Sequence, residues 1–303
     1  MKIKILIGPS TFGMVDSLPV KKLLSADFEI INNPFGRKLS KKELTQALTG
    51  VKGLIAGLEI LDKEVLKNSE LEVISRCGSG MDNIDLEAAS ALNIKVFSTP
   101  DAPTIAVSEL TIGAMLSLLR AIPEMNKSFH EGKWTKRIGC QLSGKKIAII
   151  GFGRIGRRVA KLLTAFDAHI LAVDPILSGK IDGITMINLE EALTNADIVT
   201  LHSSGKVLLI GAREFGLIKK GVYILNAARG GLIDEGALIK AIEEGKVAGA
   251  WLDTFIDEPY NGPLTKYEQV ILTPHAGSYT YECRSQMEME AADNLITGFY
   301  DLK

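Results

Sequence analysis

The sequence predicts an α/β protein built on parallel sheets. Three observations carry that expectation. Short β-branched runs alternate with helix-like segments from the start, the alternation is interrupted once near residue 100 and then resumes, and one later strand runs through a glycine-rich turn into an amphipathic segment. In the first series "IKILIG", "FEII", "GLIAG", "EVISRC" and "IKVFS" read as strands, while "KELTQAL", "DKEVLKN" and "DLEAASAL" between them have helical periodicity. The segment "TPDAPTIAVSE" then supplies two prolines and a helix-start signature, a hinge near residue 100. The second series opens at "KKIAIIGFG" and continues through "HILAVD", "DIVTLH", "VYILNA", "VAGAWLD" and "QVILT". After Gly277 only the helical "TYECRSQMEMEAADNLITGFYDL" remains, too little for a domain, so it is expected to pack back on another one.

A chain of 303 residues has room for one large domain or two of ordinary size. With 46% hydrophobic and 23% charged residues, a formal net charge of −1 and no basic block, neither a nucleic acid nor an anionic membrane is expected as partner. The opening apolar run is too short for a signal peptide, and "LTIGAMLSLL" falls well short of the roughly 18 residues of a membrane span. Cys77, Cys140 and Cys283 are far apart and make no metal-ligand spacing, which suits reduced thiols in a cytoplasmic protein.

The sharpest local signal is "KKIAIIGFGRIGRRVAKLLTAF". Gly151, Gly153 and Gly156 form G-x-G-x-x-G between an apolar strand and an amphipathic helix. In such a turn the first glycine permits the bend, the second lets a pyrophosphate approach the backbone, and the third lets helix and strand pack closely, while the helix N-terminus attracts phosphate charge. Arg154 and Ile155, inside the turn, join the three glycines as candidate cofactor contacts. Asp174 ends the next strand 18 residues after Gly156, where a carboxylate accepts hydrogen bonds from adenosine ribose hydroxyls and repels a 2′-phosphate. The expected cofactor is therefore NAD rather than NADP.

A dinucleotide site implies hydride transfer, which needs one group to handle the substrate proton and another to orient the carbonyl. Three loops just beyond predicted strands offer candidates: Arg229 in "YILNAARGGLIDE", Asp253 and Glu258 in "GAWLDTFIDEPYNGPL", and His275 in "ILTPHAGS". Ligands in such folds bind beyond the carboxyl ends of the strands, so these loops are expected to converge. Taken singly, each has an ordinary reading: a solvated turn for Arg229, a loop acid for Glu258, a capping residue for His275. No metal site is expected, since no other histidine or cysteine lies within ligand spacing of His275.

Six segments in order, "ISRCGSGMDNIDLEAA", "VSELTIGAMLSLLR", "GKKIAIIGFGRIGRRVA", "LNAARGGLIDEGAL", "AGAWLDTFIDEP" and "LTPHAGS", resemble the D-isomer-specific 2-hydroxyacid dehydrogenases over nearly the whole chain. The flavour is that of phosphoglycerate dehydrogenases and their hydroxypyruvate or glyoxylate reductase relatives, with an NADH-sensing corepressor-like binding protein as the alternative from another class. The resemblance implies two Rossmann-like, doubly wound parallel-sheet domains. A flavodoxin-like substrate domain would comprise residues 1–99 and 277–303, and an NAD-binding Rossmann domain residues 100–276. It implies His275 as acid/base with Glu258 as its acidic partner, and Arg229 as the residue that holds the substrate's carboxylate and carbonyl oxygen, a bidentate task suited to a guanidinium. It further implies Cys77, Gly78, Ser79 and Gly80 as the substrate-carboxylate loop, Asp253 and Ala227 near the nicotinamide carboxamide, His202 as a cofactor contact, a small 2-hydroxy or 2-keto acid as substrate, and a homodimer formed through the NAD-binding domain around residues 104–121. Two segments depart from the pattern. "LHSSGKVLLIGAREF" keeps His202 but has serines, a glycine and a shorter loop after it, so the family's cofactor contacts across 202–206 are not carried over residue by residue. "AGLEILDKE" lacks the arginine that several phosphoglycerate dehydrogenases place there toward the substrate phosphate, leaving Arg76 and Lys133 as basic alternatives.

Overall fold

Isoleucine, leucine and valine runs bounded by glycine or charged residues form the strands, and capped amphipathic segments form the helices between them. A computed structural model describes residues 2–205 and 207–300. In chain order the elements of the first series are β1 (Ile3–Ile7), α1 (Leu18–Ser25), β2 (Phe28–Asn32), α2 (Lys41–Ala47), β3 (Gly53–Ala56), α3 (Lys63–Lys67), β4 (Val73–Arg76), α4 (Leu86–Ala91) and β5 (Lys95–Ser98). Then follow α5 (Pro103–Leu119), α6 (Ile122–His130), β6 (Lys146–Ile150), α7 (Arg154–Thr164), β7 (His169–Val173), the short hairpin β8 (Lys180–Ile181) and β9 (Ile184–Thr185), α8 (Leu189–Asn195), β10 (Ile198–Leu201), α9 (Ala212–Leu217), β11 (Val222–Asn226), α10 (Glu235–Glu243), β12 (Val247–Leu252), β13 (Val270–Leu272) and α11 (Tyr281–Tyr300). Helix starts follow side-chain chemistry: Ser40 with Glu43 makes a capping box on α2, and Asp62, Asp85, Asn188 and Asp234 accept from first-turn N–H groups of α3, α4, α8 and α10.

The chain divides into two units. One comprises the residues up to Pro103 together with those from Ser278 onward. Its parallel sheet has the order β2-β1-β3-β4-β5. Ile5, Leu6, Leu54 and Ile55 are fully buried, as strands covered on both faces require. The last helix, α11, lies in this unit: Met287, Ala291 and Leu295 join the core of Ile5, Ile55 and Val73, and its backbone accepts a hydrogen bond from Lys95 Nζ at the Gly298 carbonyl (2.7 Å).

The other unit runs Thr104–Gly277. Its parallel six-stranded sheet has the order β13-β12-β11-β10-β6-β7. Fully buried Ile149, Val199, Ile224 and Trp251 mark its centre. The α/β class with parallel sheets is thus the one the alternation indicates.

The unit boundaries fall after Pro103 and after Gly277, where the sequence suggests 99 and 276. Thr99 stays with the first unit because its N–H donates to the Gly78 carbonyl (3.1 Å) and its hydroxyl accepts from the Gly78 N–H (2.8 Å), and Ala102 is buried in that unit's core. Gly277 stays with the second unit because its N–H donates to Asp253 (2.9 Å).

Candidate active site

In the second unit the chain places β7 on one side of β6 and β10 on the other, so the strand order reverses between β6 and β10. A crevice opens at such a reversal, outside the carboxyl ends of the strands. Gly151 follows β6 at φ +94°, a backbone region other residues rarely adopt, and a Cβ there would come within 2.5 Å of the Ser203 nitrogen. Gly153 caps α7 without a side chain, and the first turn holds no acidic residue, so its N–H groups face no competing anion of their own. A Cβ at Gly156 would stand 2.1 Å from the Gly151 carbonyl oxygen, which is why helix and turn need glycine there. Arg154 is exposed and Ile155 half-buried on the same turn. Asp174, at the end of β7, accepts from the N–H groups of Phe152 (3.0 Å), Ile176 (3.0 Å) and Leu177 (3.3 Å). It thereby pins the glycine turn from the neighbouring strand.

His202 leaves β10 beside Gly151. Its Nε2 shares a hydrogen bond with the Thr200 hydroxyl (2.9 Å), and its Nδ1 is buried with no partner among the described residues. Burial pushes this imidazole down to about 3, so it is neutral. The Ser203 hydroxyl donates to the Ser204 carbonyl (3.3 Å). Lys206, in the shortened loop, lies outside the described residues.

The three candidate loops at the ends of β11, β12 and β13 converge. Nδ1 of His275 lies 3.1 Å from Glu258 Oε1 and 3.0 Å from Oε2. A carboxylate only accepts, so Nδ1 carries the hydrogen of this pair and Nε2 is left to exchange a proton. Glu258 Oε1 also accepts from the Phe255 N–H (3.1 Å). Burial alone would raise the Glu258 carboxyl, but the hydrogen bond and charge of His275, the Phe255 N–H and the charge of Arg229 outweigh it and hold the group below the ordinary carboxylate range. Side-chain exposures of 37% for His275 and 32% for Glu258 leave the pair reachable by a small molecule. Arg229 is half-buried; its Nη1 donates to the Ala228 carbonyl (2.7 Å). The next residue must be glycine, because a Cβ at Gly230 would lie 2.0 Å from the Phe255 carbonyl carbon, and this contact seats the arginine turn against the loop of Glu258.

Asp253 is 1% exposed and holds the histidine loop. Its Oδ1 accepts from the Thr273 hydroxyl (2.6 Å) and the Ala276 N–H (2.8 Å), its Oδ2 from the Gly277 N–H (2.9 Å). Of roughly four acceptor sites on a carboxylate one remains for the carboxamide that the resemblance implies. Three supporting residues escaped the sequence reading. Trp251 Nε1 donates to the Thr273 hydroxyl (2.9 Å), extending the network, and buried Asn226 receives the Ala228 N–H (3.0 Å) while donating to the Arg229 carbonyl (2.8 Å). Asn226 fixes the turn on which Ala227 and Arg229 sit. A buried asparagine ending an apolar strand was the available signal for it.

Residues 112–277 match the profile of the D-isomer specific 2-hydroxyacid dehydrogenase, NAD binding domain. The chain belongs to that family. It is 38% identical over 271 residues to D-3-phosphoglycerate dehydrogenase of Sus scrofa, an alignment covering 86% of this chain and 51% of that protein. The chain therefore spans about half the length of the curated relatives it matches. Among solved structures, the TT0316 protein from Thermus thermophilus superposes with a TM-score of 0.90 at 30% identity, covering 99% of this chain and 97% of the other. A glyoxylate reductase from Paecilomyes thermophila gives 0.87 at 28%, covering 98% and 95%.

As a 2-hydroxyacid dehydrogenase family member, the chain carries an NAD-binding domain in its second unit, and the residues there fit the cofactor: an uncapped helix start at Gly153, an acid at Asp174, and a buried Nδ1 of His202 without a partner among the described residues. In the first unit the "CGSG" loop leaves β4. The Cys77 N–H is spent on the Ala56 carbonyl (2.9 Å) and the Gly78 N–H on Thr99 (2.8 Å), so the N–H groups of Ser79 and Gly80 are the ones left for an anion. Arg76 folds back so that its guanidinium donates to the Cys77 carbonyl and covers Gly78. Burial pushes the Cys77 thiol up to about 12, so this cysteine contributes backbone and packing rather than a thiolate. Lys133, the other basic alternative, pairs with Glu131 (2.8 Å) on the surface of the second unit.

Proposed function

We propose that the protein is an NAD-dependent D-2-hydroxyacid dehydrogenase that interconverts a small 2-keto acid and its 2-hydroxy acid, in the class of phosphohydroxypyruvate, hydroxypyruvate or glyoxylate. The observation that carries this reading is the Glu258–His275 pair with Arg229 turned against the same loop. Bound NADH supplies the hydride. His275, held through Nδ1, gives a proton from Nε2 to the C2 oxygen in reduction and takes it back in oxidation. Arg229 offers paired donors that hold the carbonyl oxygen and carboxylate and favour the charge that builds on oxygen. Ser79 and Gly80 offer N–H groups to the carboxylate, and Asp174 binds the adenosine ribose.

A homodimer through the second unit is supported by exposed apolar side chains on and after its first helices: Ile105, Ile122, Phe129, Trp134 (79% exposed) and Ile138 (104% exposed). The segment 132–141 that carries the last two is exposed almost throughout and forms no strand or helix. Cysteines 77, 140 and 283 are all free thiols, which supports a reducing, cytoplasmic location.

The test is NADH consumption in the presence of hydroxypyruvate, glyoxylate, pyruvate and 3-phosphohydroxypyruvate. Turnover of at least one supports the dehydrogenase. Tight NADH binding without turnover of any would favour a sensor instead.

A further inference from the structure

In the first unit the buried carboxylate of Glu59 has no role in the chemistry above. The residue is 1% exposed, follows β3, and accepts a 2.6 Å hydrogen bond from the Gly57 N–H. Among the described residues no second hydrogen-bond donor meets it. A carboxylate offers about four acceptor sites, and a buried one with a single site filled is costly unless something else completes it.

Its position in the sheet says what could complete it. In the order β2-β1-β3-β4-β5 the chain reverses direction between β1 and β3, and open α/β sheets take ligands outside the carboxyl ends of the strands at that reversal. Glu59 sits there: a Cβ on Gly8, just after β1, would stand 2.9 Å from its Oε1, so the glycine leaves the carboxylate its place beside the end of β1. Asn83 Nδ2 donates to the Gly57 carbonyl (3.2 Å) and the Glu59 carbonyl (2.6 Å), fastening this loop to the segment that follows Gly80. The strands β3 and β4 pair in parallel, Ala56 opposite Arg76, so the loop of Glu59 and the loop of Ser79 and Gly80 leave the sheet one strand spacing apart, about 4.8 Å.

We propose that Glu59 is the specificity residue of this crevice. With the α-carboxylate of the substrate at Ser79 and Gly80, Glu59 takes a hydrogen-bond donor, a hydroxyl or an ammonium, on the neighbouring substrate carbon and excludes a phosphate there by charge repulsion. The proposal rests on the dehydrogenase reading and on Ser79 and Gly80 as its carboxylate loop.

The experiment compares kcat/KM of wild type and Glu59→Gln for hydroxypyruvate, pyruvate and 3-phosphohydroxypyruvate with NADH. Glutamine keeps an oxygen for the Gly57 N–H and removes only the charge, so a residue that merely stiffens its loop would leave the three ratios unchanged. Expected is a wild-type preference for hydroxypyruvate over pyruvate of about tenfold or more, carried by KM, that collapses in Glu59→Gln, with 3-phosphohydroxypyruvate improving in the variant and pyruvate within about twofold. Identical substrate ratios in the two proteins would overturn the proposal, as would a wild type that prefers the phosphorylated acid. If wild type consumes no NADH with any of the three or with glyoxylate, the dehydrogenase reading fails, and thermal stabilisation by D-glycerate against D-lactate then decides the crevice. Selective stabilisation by D-glycerate, lost in Glu59→Gln, upholds it; equal or no stabilisation overturns it.

Discussion

His275 Nδ1 stands within 3.1 Å of both carboxylate oxygens of Glu258, so the imidazole is oriented through one nitrogen and its other nitrogen faces away from the pair. Glu258→Gln keeps one acceptor for Nδ1 but withdraws the charge. Burial keeps His202 neutral, so the proton on which the two directions depend is the one at His275 Nε2. Reduction needs the imidazolium and falls as pH rises, while oxidation needs the neutral ring and rises. Expected is that Glu258→Gln moves both limbs to lower pH, whereas His202→Asn leaves them in place. Superimposable profiles for wild type and Glu258→Gln would show that the two residues do not act together.

The same pair has a consequence for acid stability. The folded carboxyl of Glu258 is held below its ordinary value, so its contribution is fully present above the unfolded value, near 4.3, and is lost as pH falls through the depressed folded value. Thermal unfolding of wild type and Glu258→Gln from pH 6 to pH 3 should therefore show curves that approach each other on acidification. A gap that widens as pH falls would reverse the sign of this assignment.

Arg229→Lys tests the planar fork. A lysine at this position retains charge but cannot supply paired parallel donors, and its loss should fall on the transition state. Expected is a drop in kcat/KM of ~100- to 1,000-fold with NADH affinity and thermal stability unchanged. Turnover near the wild-type value would reduce Arg229 to a turn residue.

Much of this architecture is legible from residues alone, and the gaps have physical causes. Strand–helix alternation and the glycine turn at Gly151 declare themselves because each is a local pattern with a fixed period or spacing. The hairpin of β8 and β9 escaped the sequence reading although its signal is local: Asp182 and Gly183 sit at φ +50° and +83°, the Asp-Gly turn that two short strands favour. The boundary falls at the second proline of the hinge segment, Pro103, rather than at its start because Thr99 and Ala102 are held by long-range partners, Gly78 and the core, that no window of sequence displays. Asp253 shows the limit most sharply. Sequence order places it at a strand end beside the chemistry, but only the fold reveals that three donors from the histidine loop consume most of its acceptor capacity.

For Asp174, the expectation concerns cofactor choice. The carboxylate already holds three N–H groups, one of them inside the glycine turn, so Asp174→Ala both frees that turn and removes the charge that repels a 2′-phosphate. NADH should be the preferred cofactor of the wild type, and the variant should bind it more weakly while narrowing the preference over NADPH. Equal efficiency of NADH and NADPH in the wild type would remove the assignment.

Asp253 permits a sharper separation of holding from reacting. Its carboxylate is buried and gathers the Thr273 hydroxyl and the N–H groups of Ala276 and Gly277, and Trp251 feeds the network through Thr273. Replacing it with alanine strands those donors, each at a cost of ~1–3 kcal/mol when buried, so Asp253→Ala should lose stability by several kcal/mol in urea unfolding. Asp253→Asn keeps one acceptor and sets an NH2 against an N–H, which should cost less stability yet still release the backbone on either side of Gly277. The loop then no longer fixes the ring of His275, so kcat should fall by ~10- to 100-fold, the penalty of a misplaced group rather than a missing one. His275→Ala is the reference: it removes the proton carrier but leaves Asp253 and its donors in place. If Asp253→Asn matches wild type in turnover while losing stability, the aspartate serves only the fold. If it loses turnover as completely as His275→Ala at unchanged stability, it acts on the reactants directly and the loop-holding account is wrong.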